Sequence, residues 1–467
     1  MKRFIPLYIS FPILVGALVL ATGCKKLIEI PSNPPDEIPE SQVFNDSADI
    51  ISAIVGIYSN FKTTNYTATF GSGAITVYGG LTGDELHSTS ASDNLSREMA
   101  VNAISIDNSN IASLWQGGYT NIYQINVCLK GLGATTAISD SLRRQLVAEV
   151  KVVRAFYYFN MVNLFGRLPI ITGTDYKENA VISRSSVDSV YRLIQSDLAD
   201  ARAVLQPAYP SAGHMRPNLY TAEALSAKVF LYRQQWDSAA SMAADVISKG
   251  GYTLETDLNS VFLDGSVEAI WQLPANGSYS LTSEATSFVS SYGGKPGYSL
   301  TDLQLNAFET GDQRKDHWVS SVNVAGTDYF YPFKYKARTI YDGLPTEAYM
   351  IFRLGEQYLI LAEAQAHQGQ LSDARDNIDV IRGRAGLSGS TVDVSSQTDV
   401  LAAIQHERQT ELFCEWGNRW FDLKRTGTID AVLGVEKPNI WQPYAALYPI
   451  PKVEIQNNYR LTQNDGY

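Results

Sequence analysis

Two stretches of the chain carry the same pattern, a pair of short helices folded back on each other, and this repeat restricts the fold more than any other feature. In "YTAEALSAKVFLYRQQWDSAASMAADVISKGG", Ala222, Leu225, Val229 and Tyr232 share one face of a first helix. Asp237 stands where it can cap a second helix carrying Ala240, Ala243 and Ile247, which Gly250 and Gly251 end. In "FRLGEQYLILAEAQAHQGQLSDARDNIDVIRGRAG", Leu354, Tyr358, Leu361 and Gln365 line one helix and Gly369 breaks it. Ser372 is in place to cap the next, which carries Ala374, Ile378, Ile381 and Ala385. Small alanines where helices cross, a short turn and a unit of roughly 34 residues are the pattern of a tetratricopeptide-type hairpin. The units are degenerate and not contiguous. The expected fold is therefore mainly α, a helical-hairpin scaffold with long loop-rich insertions containing short β-strands.

Other helices are expected around these units. "DSADIISAIVGIYSNFK" places Ile50, Ile54 and Ile57 on one face behind Asp46 or Ser47 as N-cap. Residues 111–132 repeat Leu114, Ile122, Ile125 and Leu129, and residues 141–166 repeat Leu142, Leu146, Glu149, Val153 and Phe156 before Gly166 and Pro169 stop the helix. Residues 185–205 carry Val187, Val190, Ile194, Leu198, Ala201 and Leu205, with Ser185 and Asp188 as a capping box. Residues 63–98 are rich in Thr, Ser, Gly and Asn, lack a helical period and read as loops with short strands. Residues 252–350 form the largest insertion, in which "EAIWQL" reads as a strand; loops this long within one domain are usually functional.

The amino terminus decides where the chain resides. Lys2 and Arg3 precede an apolar run, interrupted by Pro6 and Pro12, that ends in Ala21, Thr22, Gly23 and Cys24. The run is short for a bilayer span and has the layout of a secretory leader. Small residues directly before cysteine are the layout of a bacterial lipoprotein signal, with Cys24 acylated and residues 1–23 removed; the competing reading is an uncleaved anchor helix with an incidental cysteine. Pro31, Pro34, Pro35 and Pro39 make residues 24–42 an extended tether. Cys128 and Cys414 sit in apolar helical patterns and read as buried thiols, their pairing left open.

A net charge of −11 argues against nucleic acid as a partner, because phosphate binding needs clustered Lys and Arg. Histidines are scattered, and "HERQT" lacks the second histidine of a zincin helix. No nucleophile elbow or phosphate loop is present, and residues 257–265 have Phe262 where a calcium loop needs glycine. No metal and no cofactor is expected. Glu407, Glu411 and Glu415 recur every four residues, which sets them side by side on one helix rather than across a scissile bond. They read as an ion-pair network with Arg408, Arg419 and Arg425 as available partners, joined by Asp422, while Trp420 and Phe421 read as core.

Three stretches resemble a known family. "VRAFYYFNMVNLFGRLPII", "ERQTELFCEWGNRWFDLKR" and "LYPIPKVEIQNNYRLTQNDGY" are similar, in this order, to motifs of the SusD/RagB family of nutrient-binding lipoproteins of Bacteroidetes. Departures are local: Trp416-Gly417-Asn418 replaces a Glu-Gly run, and Tyr459 and Asp465 stand where proline is common. The resemblance covers almost all of the chain after Cys24 and implies residues 43–467 as one SusD-like domain. It implies a non-enzymatic, lipid-anchored, surface-facing outer-membrane protein that captures a glycan or oligosaccharide. It also implies delivery of that ligand to a TonB-dependent β-barrel transporter of the SusC/RagA type. The alternatives are a peptide-binding member of the family and a surface glycoside hydrolase.

Sugar rings present an apolar face and a rim of hydroxyls, which flat aromatic side chains and short polar groups match. The chain has 27 Tyr, 17 Phe and 7 Trp. The richest stretches nominate Tyr78, Asp84, His87 and Asn94, with Tyr66 beside them, and Tyr279, Tyr292, Tyr298, Trp318 and Tyr329, with Asn276 beside them. Trp115, Trp236, Trp271 and Trp441 read as packing. The leader yields a direct prediction. Cys24→Ala should release the protein from membranes in a fractionation assay while leaving folding and ligand affinity intact; loss of ligand binding in solution would give Cys24 a structural role instead.

Overall fold

In a computed structural model, residues 40–61, 68–275, 281–339, 343–390 and 392–467 are described. Cys24, the tether prolines, Tyr66, Asn276 and Tyr279 lie outside these residues. The helices used below are α1 (Ser47–Ser59), α2 (Ala74–Thr82), α3 (Asn94–Ala100), α4 (Ser109–Ala134), α5 (Asp140–Phe165), α6 (Val187–Arg202), α7 (Leu219–Tyr232), α8 (Trp236–Lys249), α9 (Leu354–His367), α10 (Leu371–Arg384), α11 (Gln397–Glu411), α12 (Asn418–Arg425) and α13 (Lys452–Asn457). The strands labelled below are β1 (Leu86–Ser88), β2 (Ala269–Pro274), β3 (Tyr298–Leu300), β4 (Val319–Val324), β5 (Thr327–Pro332) and β6 (Ala348–Arg353), and a further short pair joins Leu168–Pro169 to Arg184–Ser185. No described helix is long and apolar enough to cross a membrane.

α5 is buried on every side along its second half, from Val152 to Phe165 with Asn163 alone part-exposed, as a helix at the centre of a bundle must be. α4 and α6 flank it. Arg154 on α5 grips Asp197 on α6 through two hydrogen bonds of 2.7 and 2.8 Å. The expected hairpins are present as α7–α8 and α9–α10, and α8 packs on α9. Ala227, Ala239, Ala243 and Ala364 let helices approach closely around Leu231 and Ile360. Trp236 stacks on His367 at 3.8 Å, joining the turns of the two hairpins.

The caps depart from expectation in a regular way. Asp237 and Ser372 are not N-caps: α8 begins at Trp236 behind Gln235, and α10 at Leu371 behind Gln370. In both hairpins a residue in the left-handed region, Gln234 or Gly369, turns the chain, and the second helix starts two residues earlier than expected. Asp237 instead accepts from Gln368 Nε2 at 2.7 Å. At α6 the cap is Ser186, whose Oγ accepts from the Ser189 amide, because Ser185 is occupied in a strand pair with Leu168. Asp46 caps α1 as expected.

The region from 68 to 98 is not loop alone. α2 and α3 are helices there. Ala74–Val77 and Gly79–Thr82 are all buried, so α2 has no polar stripe and hence no readable period. A Cβ on Gly79 would lie 2.7 Å from the Cα of Gly417, so α2 crosses the start of α12 at backbone contact. Lys437 closes the end of α2, its Nζ donating to the Leu81 carbonyl at 2.9 Å and the Thr82 carbonyl at 3.2 Å.

The insertion leaves and rejoins the scaffold through β2 and β6, which pair antiparallel from Ala269↔Arg353 to Pro274↔Ala348. Trp271 is fully buried and Cys128 and Cys414 are buried free thiols. Among its described residues the insertion also holds the β4–β5 hairpin and three short helices.

One buried ion cluster joins insertion to scaffold. Arg353 donates to Glu268 at 2.9 Å, to both oxygens of Glu415 at 2.8 Å and to Glu411. Arg314 grips Asp312 and reaches Glu407 and Glu411. Arg384 bridges Glu268 and Glu411, and Lys334 binds Glu415 and the carbonyls of Glu411 and Phe413. The three glutamates are therefore structural, but their partners correct the expectation. Arg408 and Arg425 pair with Asp422, and Arg419 with Asp84. Burial alone would raise the Glu411 carboxyl, yet Arg384, Arg353 and Arg314 hold it well below the usual range. Burial likewise opposes ionisation of Asp422, and Arg408 and Arg425 bring it down to about 2.

A carboxylate with a depressed folded pKa adds stability above its unfolded value of about 4, lost as pH falls through the folded value. Asp422→Asn should thus cost about 3–5 kcal/mol at pH 7 in urea unfolding, since buried Arg408 loses its carboxylate and Arg425 keeps only Glu363. The difference from the native chain should shrink from pH 4 toward pH 2; a difference independent of pH would refute this account.

Candidate ligand-binding face

The two candidate stretches lie far apart in sequence and meet in one strand pair. β1 and β3 run antiparallel with Leu86↔Leu300, His87↔Ser299 and Ser88↔Tyr298 in register. The pairing continues past the strands, where the Thr89 amide donates to the Gly297 carbonyl at 3.1 Å. Leu86 and Leu300 are buried and anchor the pair to the core, while His87 is exposed. The β4–β5 hairpin packs beside β3 and brings Tyr329.

Each aromatic on this face has a reason for its position. Tyr78 comes from α2, whose place is set by the Gly79–Gly417 contact, and its ring is half-buried. Burial first, then Tyr298 and Asp93, push its hydroxyl above the ordinary value. Tyr298 is half-buried; its ring meets Phe288 edge-on at 6.2 Å and its hydroxyl shares a 3.3 Å hydrogen bond with Ser96. Burial raises its hydroxyl too, opposed by that bond. Asp93 accepts from the Ser96 amide at 3.0 Å, capping α3, so Asn94 is the exposed first residue of that helix. Tyr329 carries Lys295 over its ring at 5.0 Å. Tyr292 is 99 % exposed in the left-handed region, immediately before Gly293, which shares that conformation. Glu436 lies near His87; burial pushes its carboxyl up and His87 draws it back.

Two candidates are corrected by burial. Asp84 is fully buried, chelated by Arg419 through Nε at 2.9 Å and Nη2 at 2.6 Å. Trp318 is also fully buried; its Nε1 donates to the Leu258 carbonyl at 2.9 Å, and Lys334 Nζ sits 4.7 Å from its ring. It is the aromatic wall of the ion cluster and has no surface to offer a ligand. The strand pair thus places Tyr298 on the side of Leu86 and Leu300, near Tyr78, and His87 with Ser299 on the opposite side, while Asn94, Tyr329 and, on the loop that leads into β3, Tyr292 are exposed or half-exposed around it. Sequence reasoning missed Lys295, Ser96 and Asp93, which orient the aromatics. Asp93, directly before Asn94 at the start of α3, carried a readable cap signal; Lys295 carried none.

Chemically, the region offers partly exposed phenol rings with the Ser96 hydroxyl against Tyr298 and the Lys295 amine over Tyr329, and the His87 imidazole on the opposite side of the strand pair. Among the described residues, no group of three or more His, Cys, Asp or Glu is placed to hold a metal ion.

Comparison with known proteins agrees with this architecture. A model of the SusD family matches residues 321–467, and a second, described as "Starch-binding associating with outer membrane", matches residues 36–231. The chain belongs to the SusD-like family. Two SusD-like proteins of Formosa agariphila, P25 and P2, are 24% and 27% identical, covering 95% and 98% of this chain and 96% and 99% of their own. A SusD superfamily protein of Bacteroides vulgatus has the same fold at TM-score 0.78 and 20% identity, covering 91% of this chain and 100% of that one. A laminarin-binding SusD-like protein does so at TM-score 0.76 and 23% identity, with the same coverage.

Proposed function

We propose that this SusD-like chain is a non-enzymatic carbohydrate-binding lipoprotein of the outer membrane, which captures a glycan on the β1–β3 face and passes it to a SusC/RagA-like β-barrel transporter. The observation that carries the binding site is the strand pair itself. It sets Tyr298 from the insertion opposite Ser88 and near Ser96 and Tyr78, so that rings and short polar groups from two separated segments meet there. One of the matched family models is described as starch-binding and outer-membrane associated, and one structural relative as laminarin-binding, which supports a glucan as the first ligand class to test. The outer-membrane anchor rests on Cys24 and the leader, and the transporter on the family resemblance.

Hydrolysis by Glu407, Glu411 or Glu415, the first two on α11 and the third just beyond it, is disfavoured by the same geometry that makes them structural. Glu407, Glu411 and Glu415 are buried and neutralised by Arg314, Arg353, Arg384 and Lys334, so none stands free as acid or nucleophile.

Isothermal titration with maltoheptaose and laminarihexaose, alongside mannan, xylan and galactan oligomers, tests the reading. At least one glycan should bind without being shortened, and Tyr298→Ala and Tyr329→Ala should each weaken it about ten-fold, the loss of one aromatic contact of roughly 1.4 kcal/mol. Unchanged affinity in both variants would remove the face from the account.

A further inference from the structure

A concavity lies between α4, α13 and the segment that follows α5. It encloses about 470 Å³, within the range of small-ligand sites. α4 presents Trp115, Tyr119 and Tyr123 to it at four-residue spacing, which places three rings in a row along one helix face. Trp115 is nearly buried and its ring lies 4.9 Å from that of Tyr119. The Tyr119 hydroxyl donates to the Pro169 carbonyl at 2.9 Å, so these two rings are fixed. Tyr123 and Tyr176, by contrast, are 43 % and 73 % exposed on the rim. Rings held this far in water stabilise the fold little, yet they stand beside a preformed apolar wall.

The polar groups narrow the ligand. Thr120, Gln116, Asn179 and Asn457 line the cavity with a hydroxyl and carboxamides. Its carboxylate, Glu454, accepts from Gln116 Nε2 at 3.0 Å. Among the described residues lining the cavity there is no Lys or Arg. An anionic ligand such as a phosphate or a uronate therefore finds no counter-charge in the lining itself; Lys177, a cation beside it, lies over the Tyr176 ring on the rim. A purely aliphatic ligand would leave the rim amides without partners, which is costly once water is displaced. Aromatic faces with neutral hydrogen-bonding groups between them match the apolar face and hydroxyls of a neutral sugar.

We propose that this cavity is a second carbohydrate-binding site, taking a neutral sugar unit against Trp115, Tyr119, Tyr123 and Tyr176. The proposal rests on the carbohydrate-binding reading for its ligand class but shares no residue with the β1–β3 face. A long glycan that occupies both sites is held with an effective concentration set by the chain between them.

The two sites separate in one titration series using the neutral oligomers named above. The full chain should show two classes of site. Tyr298→Ala/Tyr329→Ala should keep one of them, and adding Tyr123→Ala/Tyr176→Ala should weaken that remaining class by about ten-fold or more. Tyr123 and Tyr176 are exposed, so thermal melting of their variant should match the native chain. Loss of all sugar binding in Tyr298→Ala/Tyr329→Ala, or residual binding indifferent to Tyr123→Ala/Tyr176→Ala, overturns the second site. Native-like binding by Tyr298→Ala/Tyr329→Ala with full loss in Tyr123→Ala/Tyr176→Ala supports the cavity and overturns the strand face. A proline-rich peptide that binds at Tyr123 and Tyr176 where no sugar does assigns the cavity to peptide and overturns the proposal, and a native chain that binds none of the oligomers overturns both sites.

Discussion

Everything that positions the β1–β3 face depends on a cluster of charges buried where the insertion meets the helical scaffold. Glu407 and Glu411 of α11, with Glu415 just beyond it, form a column of negative charge inside the protein. Arg314 and Lys334 come from the insertion, Arg353 from the end of β6 and Arg384 from α10. In a low-dielectric interior an unpaired charge is far costlier than an unpaired surface charge, so each cation must find its carboxylate for the fold to close. That requirement specifies one docking of the insertion among the many that apolar contact alone would allow. Lys334 shows how tight the balance is: burial pushes its amine down to about 8 against the pull of Glu415, while the Phe413 ring lies 4.1 Å away.

The ion cluster fixes the root of the insertion, and backbone contacts fix the segment it must meet. Gly79 and Gly417 permit α2 to lie against α12 without intervening side chains. The Cys414 amide donates to Glu85 at 2.9 Å, one residue before β1. The same short run, 414–419, therefore sits between the charge cluster and the strand pair. Arg419 reaches back to Asp84 and Glu415 reaches forward to Arg353. Through this run the scaffold sets the distance between the segment carrying Tyr78 and His87 and the one carrying Tyr298 and Tyr329.

The helical hairpins were legible because their apolar positions recur at helical spacing against polar neighbours. α2 was not, since a helix buried all round has no stripe to read. Burial also separated good candidates from poor ones. Trp318 and Tyr298 look alike in sequence, both aromatic residues in the long insertion, yet one seals an ion cluster and the other lies partly open. Asp84 and His87 are three residues apart, and only the strand register and Arg419 place one inward and the other outward. The glutamate column was readable as structural from its spacing, but its partners were not, because Arg314 and Arg353 lie far from it along the chain. Arg408, Arg419 and Arg425 are nearer in sequence and serve other carboxylates.

The most direct test of the account is amide hydrogen exchange with and without a saturating oligosaccharide shown to bind. The account predicts that added protection concentrates in residues 86–89 and 297–300 together, with neighbouring effects at 93–96 and 327–330, because the ligand bridges strands that only the folded insertion brings side by side. Protection confined to one of the two strands, or absent from both while binding is saturated, would contradict it.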